Sequence, residues 1–179
     1  MQRVEERLRR IAGVLKEAGI PYAVVGGNAV AHWVARVDEA AVRNTRDVDI
    51  LIRRDDLPRV IAAAEAAGFV YRHVKGIDAL LEGADAKFRD AVHLLFAEEQ
   101  VRPGVGWPTP DVAESVEADG FRVIDFSALV RLKLDANRRK DQVHLLDMIE
   151  LGMIGSGEMS DLPPELRDRL QELLDDPDG

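Results

Sequence analysis

Two aspartates stand two positions apart in a mainly apolar stretch, Thr45-Arg46-Asp47-Val48-Asp49-Ile50-Leu51-Ile52. Residues i and i+2 of a β-strand point to the same face, so a strand here would place the two carboxylates side by side. Adjacent carboxylates repel each other unless a cation lies between them, and Mg²⁺ is often held by one or two carboxylates together with phosphate oxygens. The segment therefore predicts a divalent metal site, although two surface acids at a solvated sheet edge would give the same pattern.

A pair of glycines interrupts a second apolar stretch, Val24-Val25-Gly26-Gly27-Asn28. Glycines between a strand and a helix let the backbone approach a phosphate, and the N-terminus of the helix offers amide donors and a favourable dipole. Asn28 is expected to cap that helix. The segment has neither the Gly-x-Gly-x-x-Gly pattern of dinucleotide-binding folds nor the Lys-Ser/Thr of a P-loop. It predicts a phosphate-binding turn of another kind, although a tight turn without a ligand would use the same residues.

The elements that must position these two segments follow from the spacing of apolar residues and from the places of Gly and Pro. Strands are expected over residues 22–25, 47–52, 69–74, 77–82, 91–97 and 121–124. Helices are expected over residues 2–18, 28–37, 56–67, 127–137, 140–151 and 164–174. Strands mixed with helices, followed by helices alone, predict an α+β fold: a mixed β-sheet flanked by helices, with C-terminal helices after it.

Composition and charge limit the classes of function. The 179 residues include no cysteine, which excludes disulfides, thiolate metal sites and a cysteine nucleophile, and which fits a cytoplasmic location. No apolar run reaches the length of a membrane span. The net charge is −9, of which −6 falls within residues 158–179, while residues 131–141 carry five basic against two acidic residues. A basic patch on a mildly acidic body suits a small anionic ligand better than duplex nucleic acid.

The order of strand, Gly-Gly turn, helix, loop and Asp-x-Asp strand resembles the polymerase-beta-type nucleotidyltransferase superfamily. The resemblance covers residues 22–52 by motif and extends more loosely to about residue 154. The length of 179 residues predicts a single domain, which the resemblance divides into a nucleotidyltransferase core over residues 1–125 and a helical extension over residues 126–179.

The same resemblance implies roles for the two motifs. The glycine turn, Gly26, Gly27 and Asn28, would contact the triphosphate of an NTP substrate. Asp47 and Asp49 would be catalytic residues that ligate Mg²⁺ or Mn²⁺. The implied reaction is in-line attack of an acceptor hydroxyl on the α-phosphate, with two metal ions that clamp the attacking and leaving oxygens.

One position departs from the superfamily's pattern, which has a third carboxylate on a later core strand. The matching segment is Ala91-Val92-His93-Leu94-Leu95-Phe96-Ala97, and it places His93 where that carboxylate would stand. A neutral imidazole can accept a proton or bind a metal, so His93 is a candidate base and metal ligand. Asp90 could reach the site instead, although it stands three positions before His93 and would point to the opposite face of a strand. The remaining alternative is that catalysis has been lost.

Basic residues near the end of the chain form a third candidate group. If one helix runs from residue 129 to 141, then Lys133, Asn137 and Lys140 share a stripe. The Lys-Leu-x-Ala and Arg-x-Lys-Asp patterns resemble those of small bacterial nucleotidyltransferase-like proteins, which implies that Lys133, and with less support Lys140, contacts the nucleotide. Arg46 is a further candidate phosphate contact. For Lys140 the alternative is a solvated helix face paired with Asp141 and His144.

These observations lead to two functional hypotheses. The first is a metal-dependent transferase that moves a nucleoside monophosphate from an NTP to the hydroxyl of a small molecule, a tRNA or a protein. The second is a catalytically degenerate module of the same fold that binds a nucleotide or a partner protein without turnover. Neither hypothesis requires a membrane or a nucleic-acid duplex.

Overall fold

The computed structural model describes residues 2–83, 85–101, 104, 106–155, 157 and 162–177. Residues 156, 158–161, 178 and 179 of the predicted helical extension therefore lie outside the described residues. The first helix of that extension begins at Phe126, next to the expected boundary after residue 125.

A single mixed sheet of seven strands forms the centre of the described structure, in the spatial order β3-β4-β5-β2-β1-β7-β6. The neighbours β1 and β7, and β2 and β5, run parallel, and the other neighbouring strands are antiparallel. The strands are β1 (Tyr22–Val25), β2 (Val48–Ile52), β3 (Val70–Val74), β4 (Ile77–Leu81), β5 (Val92–Phe96), β6 (Ser115–Ala118) and β7 (Phe121–Ile124). The expected mixed sheet is confirmed, and β6 is an addition that the sequence analysis missed.

Six α-helices accompany the sheet in the described part of the chain. They are α1 (Gln2–Glu17), α2 (Gly26–Ala35), α3 (Leu57–Ala66), α4 (Phe126–Ala136), α5 (Arg139–Glu150) and α6 (Pro164–Asp175). The last three gather after the final strand, as expected, and the α+β class is confirmed. Arg169 of α6 donates hydrogen bonds from Nη1 to the backbone oxygens of Leu134 (2.8 Å) and Asp135 (3.1 Å), so α6 satisfies carbonyls at the end of α4 that have no partner within the helix.

The side chains of the central strands divide between two environments. Val24, Ile50 and Leu94 are register partners on neighbouring strands, and all three are buried in the main core. The next row along the same strands is Val25, Asp49 and His93. Since successive side chains of a strand point to opposite faces, this row lies on the other face of the sheet. The face with Ile50 is apolar at these positions, whereas the other face carries Asp49 and His93 beside the buried Val25 and Leu51.

The two separate helices expected over residues 127–137 and 140–151 are confirmed, so the shared stripe that required one helix from residue 129 to 141 does not form. Helix α4 ends at Ala136, and α5 begins at Arg139. Between them Asn137 has φ 44° and ψ 31°, the left-handed conformation, which Asn tolerates better than most residues and which ends a helix. The chain changes direction there, so Lys133 and Lys140 lie on different helices and share no stripe.

Candidate active site

Asp49 and His93 are neighbours at the centre of the sheet. Asp49 lies opposite Val25 of β1 and, on its other side, opposite His93 of β5. Nδ1 of His93 is 3.6 Å from Oδ1 of Asp49, a close electrostatic contact that is longer than a good hydrogen bond. The interaction with Asp49, with a further contribution from Asp47, raises the pKa of His93 above its ordinary value, although burial acts in the opposite direction. Both carboxylates therefore lie close to this imidazole.

Asp47 stands just before β2, since the strand begins at Val48 and not at residue 47 as expected. Its backbone oxygen accepts a hydrogen bond of 2.7 Å from Nδ2 of Asn28 and a longer one, 3.4 Å, from Oγ1 of Thr45. Asn28 thereby fixes the segment that carries the acidic pair. The expectation that Asn28 caps a helix is wrong: α2 already begins at Gly26, the residue before it is Val25, and Asn28 lies inside the first turn.

The glycine turn lies directly against the acidic pair. Gly26 has φ +66°, and a Cβ built on it would overlap Oδ2 of Asp49 and lie 2.8 Å from Cγ of that residue. A Cβ on Gly27 would lie 2.6 Å from Oγ1 of Thr45. Only glycine leaves room for the start of α2 to approach the Asp49 carboxylate this closely. The free amides and the positive dipole end of α2 therefore lie beside the acids.

Lys133 reaches the same region from α4. It is 4% exposed, and its Nζ donates a hydrogen bond of 2.7 Å to Oδ1 of Asp141, which is 0% exposed. Asp49 is close enough to contribute to the electrostatic environment of Lys133. The alternative in which Asp141 pairs with Lys140 and His144 on a solvated helix face is wrong, because the turn at Asn137 directs Asp141 inward against Lys133.

The remaining predicted residues lie at the periphery. Arg46 is exposed one position before Asp47. Lys140 is exposed in the first turn of α5. Asp90 belongs to a short 3-10 turn, Phe88–Asp90, that precedes β5. The ring of Phe88 lies 5.7 Å from the His93 ring, so this turn forms one wall beside the imidazole.

The side chains at this site can bind a hard divalent cation only if a bound ligand supplies further oxygen atoms. Within the described ranges, no group of three or more His, Cys, Asp or Glu side chains is arranged to hold a metal ion. Asp47 and Asp49 supply carboxylate oxygens beside a helix N-terminus that suits phosphate, and Mg²⁺ commonly combines one or two carboxylates with phosphate oxygens and water. The residues therefore fit a metal that arrives together with a nucleotide.

Comparison with known proteins identifies the family. The sequence profile of a family described as uncharacterised nucleotidyltransferase matches residues 2–108. The chain belongs to this nucleotidyltransferase family. The matched range includes the glycine turn, the acidic pair and His93, and ends before α4. No curated protein matches the sequence at a significant level.

Solved structures confirm the nucleotidyltransferase fold. An antigenic nucleotidyltransferase-like protein from Paracoccidioides brasiliensis matches with a TM-score of 0.64 at 19% identity, over 99% of this chain and 90% of its own. JHP933 from Helicobacter pylori matches with a TM-score of 0.52 at 18% identity, over 97% of this chain and 74% of its own. In the part of the chain that the structure describes, no helix combines the length and the apolar character needed to cross a membrane.

Proposed function

We propose that the chain is a metal-dependent nucleotidyltransferase that moves a nucleoside monophosphate from an NTP to an acceptor hydroxyl. One observation carries this proposal: the Gly26 backbone just after β1, the Asp49 carboxylate on β2 and the His93 imidazole on β5 lie side by side, with Asp47 next to them. A phosphate-binding backbone, paired acids and a group that can accept a proton are the parts that this chemistry needs.

The triphosphate is assigned to the N-terminus of α2. Backbone amides of Gly26 and Gly27 are open to a ligand because neither residue has a side chain. Lys133 supplies a buried positive charge from α4. Arg46 and Lys140 are exposed and are assigned outer contacts with phosphate oxygens. The side-chain amide of Asn28 already donates to Asp47, so its part in triphosphate binding is to support the acidic pair.

Asp47 and Asp49 are assigned to hold Mg²⁺ or Mn²⁺. When bound there, the metal would neutralise charge on the triphosphate and lower the pKa of the acceptor hydroxyl. His93 is assigned to complete the site, as the base that takes the hydroxyl proton or as a third metal ligand. The acceptor oxygen forms a bond to the α-phosphorus, the bond from that phosphorus to the β-phosphate oxygen breaks, and pyrophosphate leaves.

The acceptor is assigned to one of three classes, a small molecule, a tRNA or a protein. A nucleotide-binding module without turnover is the second candidate function. The presence of His93 favours this second candidate, because the described residues offer two carboxylates at this site and no third carboxylate. The two candidates agree on nucleotide binding and differ on the release of pyrophosphate.

Thermal unfolding tests the shared part of both candidates. A nucleotide at a hundred times its dissociation constant should stabilise the protein by about 2.7 kcal/mol, or about 5–10 °C for a chain of this size. The shift should require Mg²⁺ or Mn²⁺ and should vanish in Asp49→Asn. Asp111→Asn is the matched control, since Asp111 is paired with Arg53 and lies outside the site. A thermal shift that does not need metal, or one that survives in Asp49→Asn, would show that the nucleotide does not bind at the acidic pair.

Pyrophosphate release separates the two candidates. The wild-type protein with Mg²⁺ and each NTP should release pyrophosphate when an acceptor from one of the three classes is present. A radiolabel on the α-phosphate should appear on that acceptor. Stable nucleotide binding without label transfer to any class would favour the module.

A further inference from the structure

Asp141 is a completely buried carboxylate beside the candidate nucleotide site. Its Oδ1 accepts a hydrogen bond of 2.7 Å from Nζ of Lys133, and its Oδ2 accepts one of 2.6 Å from Nε of Arg138. Both oxygens of the carboxylate are thus bound by cationic side chains. A buried ion pair is stable only when its geometry is good and further hydrogen bonds satisfy the charges, as they do here.

The break between α4 and α5 creates this pair. In one continuous helix, eight residues would separate Lys133 from Asp141 by about 12 Å along the axis. The left-handed residue Asn137 ends α4 and lets the first turn of α5 fold back against Lys133. The ammonium and the carboxylate are therefore brought together by the turn.

The surroundings of the Lys133 ammonium determine its charge. Asp141, Arg138 and Asp49 face it, and His144 lies near it on α5. Burial lowers the pKa of Lys133, and the carboxylates of Asp141 and Asp49 oppose that effect. Burial would raise the pKa of Asp141, but the hydrogen bonds and charges of Arg138 and Lys133 hold it below its ordinary value. Asp141 therefore stays ionised and favours the charged form of Lys133.

The ammonium retains hydrogen-bonding capacity. It has three N–H donors, and among the described residues one of them has an acceptor within hydrogen-bond distance, Oδ1 of Asp141. A buried donor without a partner is costly, so the others suit an anionic oxygen that a ligand brings. Asp49 lies on the side from which a metal-bound triphosphate would approach in the proposed function.

We infer that Asp141 is a positioning residue of the nucleotide site: it holds the Lys133 side chain in one conformation and in its charged state, so that the ammonium can bind a triphosphate oxygen. This inference rests on the proposed function. Asp141 does not touch the substrate, and its effect passes through Lys133 alone. The replacement Asp141→Asn keeps the shape of the side chain and removes the charge that stabilises the ammonium.

The test measures the affinity of the wild-type chain and Asp141→Asn for inorganic triphosphate with Mg²⁺ by calorimetry, at pH 7 and pH 9. The loss of one charged hydrogen bond should weaken binding by about 10- to 100-fold at pH 7. At pH 9 the variant should lose more of its triphosphate affinity than the wild type does, because Lys133 without its counter-ion gives up its proton more readily. A purely structural role would not produce this pH dependence.

Two further variants keep the test decisive if Asp141→Asn unfolds. The double variant Lys133→Met with Asp141→Leu removes both charges at similar volume, a kind of exchange that often preserves stability. It should fold and should lose triphosphate affinity. Asp78→Asn is the matched control, because Asp78 is also buried and hydrogen-bonded, to Tyr71 and His73, but pairs in register with Leu94, on the opposite face of the sheet from His93. Its affinity should equal that of the wild type.

Asp49→Asn separates failure of this inference from failure of the proposed function. If the wild type binds triphosphate, Asp49→Asn does not, and Asp141→Asn binds as the wild type does at both pH values, the role of Asp141 is overturned and the proposed function stands. Wild-type affinity in the double variant would overturn the roles of both Asp141 and Lys133 and leave the acidic pair and the glycine turn as the nucleotide site. If the wild type does not bind triphosphate with metal at all, both are overturned.

Discussion

Asp49 and His93 are register partners on the parallel strands β2 and β5, with 3.6 Å between Oδ1 and Nδ1. Their proximity follows from the strand pairing, because partners on neighbouring strands share a face of the sheet. Central strands are rigid, so the imidazole is held near Asp49 by the sheet itself, while Asp47 lies just before β2 and is fixed by Asn28. In the proposed function this places a proton acceptor or a third metal ligand next to the acidic pair.

Replacement of His93 separates binding from chemistry. In His93→Ala, we expect the dissociation constant for the NTP to change little and the turnover number to fall by about 10²–10⁴, the usual contribution of a general base. In His93→Asp, which restores a carboxylate, turnover should stay within about tenfold of the wild type. Transfer of an α-phosphate label measures turnover, and calorimetry measures binding.

The opposite pattern would favour the module. If His93→Ala transfers label as fast as the wild type, His93 has no part in the reaction. If the wild type is inactive and His93→Asp gains activity, the site lacks only its third carboxylate. Phe88→Leu is a suitable control, because Phe88 packs beside the imidazole but carries no group that can take a proton.

Replacement of Gly26 tests how closely the start of α2 must approach Asp49. Gly26→Ala adds one methyl group that would collide with the Asp49 carboxylate. Gly19 has almost the same backbone conformation, φ +62° against +66°, but a Cβ there would have no heavy atom within 4 Å. Both replacements should cost about 1–2 kcal/mol for an L-residue in the left-handed region. Only Gly26→Ala should also lose metal-dependent nucleotide binding.

Urea unfolding and nucleotide titration of both variants check this prediction. Both variants carry the same backbone strain, so any difference in nucleotide affinity between Gly26→Ala and Gly19→Ala is due to the collision with Asp49. Unchanged nucleotide affinity in Gly26→Ala would mean that the carboxylate of Asp49 can move away without loss, and that the close approach has no functional role.

The acidic pair and the glycine turn could be predicted from the sequence because their signals are local. Alternation of polar and apolar residues around Asp49 fixes which side chains share a face, whatever the strand pairs with. The hairpin of β6 and β7 also had a local signal, which the sequence analysis missed. Asp119-Gly120 stands between apolar alternations, and both residues have positive φ, 35° and 91°, as a two-residue hairpin turn requires.

The buried pair of Lys133 and Asp141 had no such local signal. Charged residues three and four apart usually line a solvated helix face, so pairs of Asp141 within α5 stood as the alternative to a functional role of Lys140. The chain turns at Asn137, whose left-handed conformation ends α4. Asn tolerates this conformation without requiring it, so the break depends on how α5 and α6 pack against α4. Tertiary contacts of this kind cannot be read from spacing.

His144 makes stability depend on pH in a direction that can be tested. Burial and the nearby positive charge of Lys133 lower its pKa to about 4, and its Nδ1 is buried without a hydrogen-bond partner among the described residues. The unfolded chain protonates this imidazole near its ordinary pKa of about 6.5, whereas the folded chain resists protonation until about pH 4. The stability contributed by neutral His144 is therefore complete above about pH 6.5 and is lost as the pH falls towards 4.

The variant His144→Leu cannot titrate and should lose less stability on acidification than the wild type. Between pH 7 and pH 5 the wild type should lose about 1–2 kcal/mol more than the variant, as the linkage relation gives for this shift after allowance for partial exposure. Urea unfolding of both proteins at the two pH values measures the difference, and carboxylates common to both cancel in the comparison. If the stability of the two proteins falls equally with pH, His144 titrates alike in the folded and unfolded chains, and burial beside Lys133 does not affect its protonation.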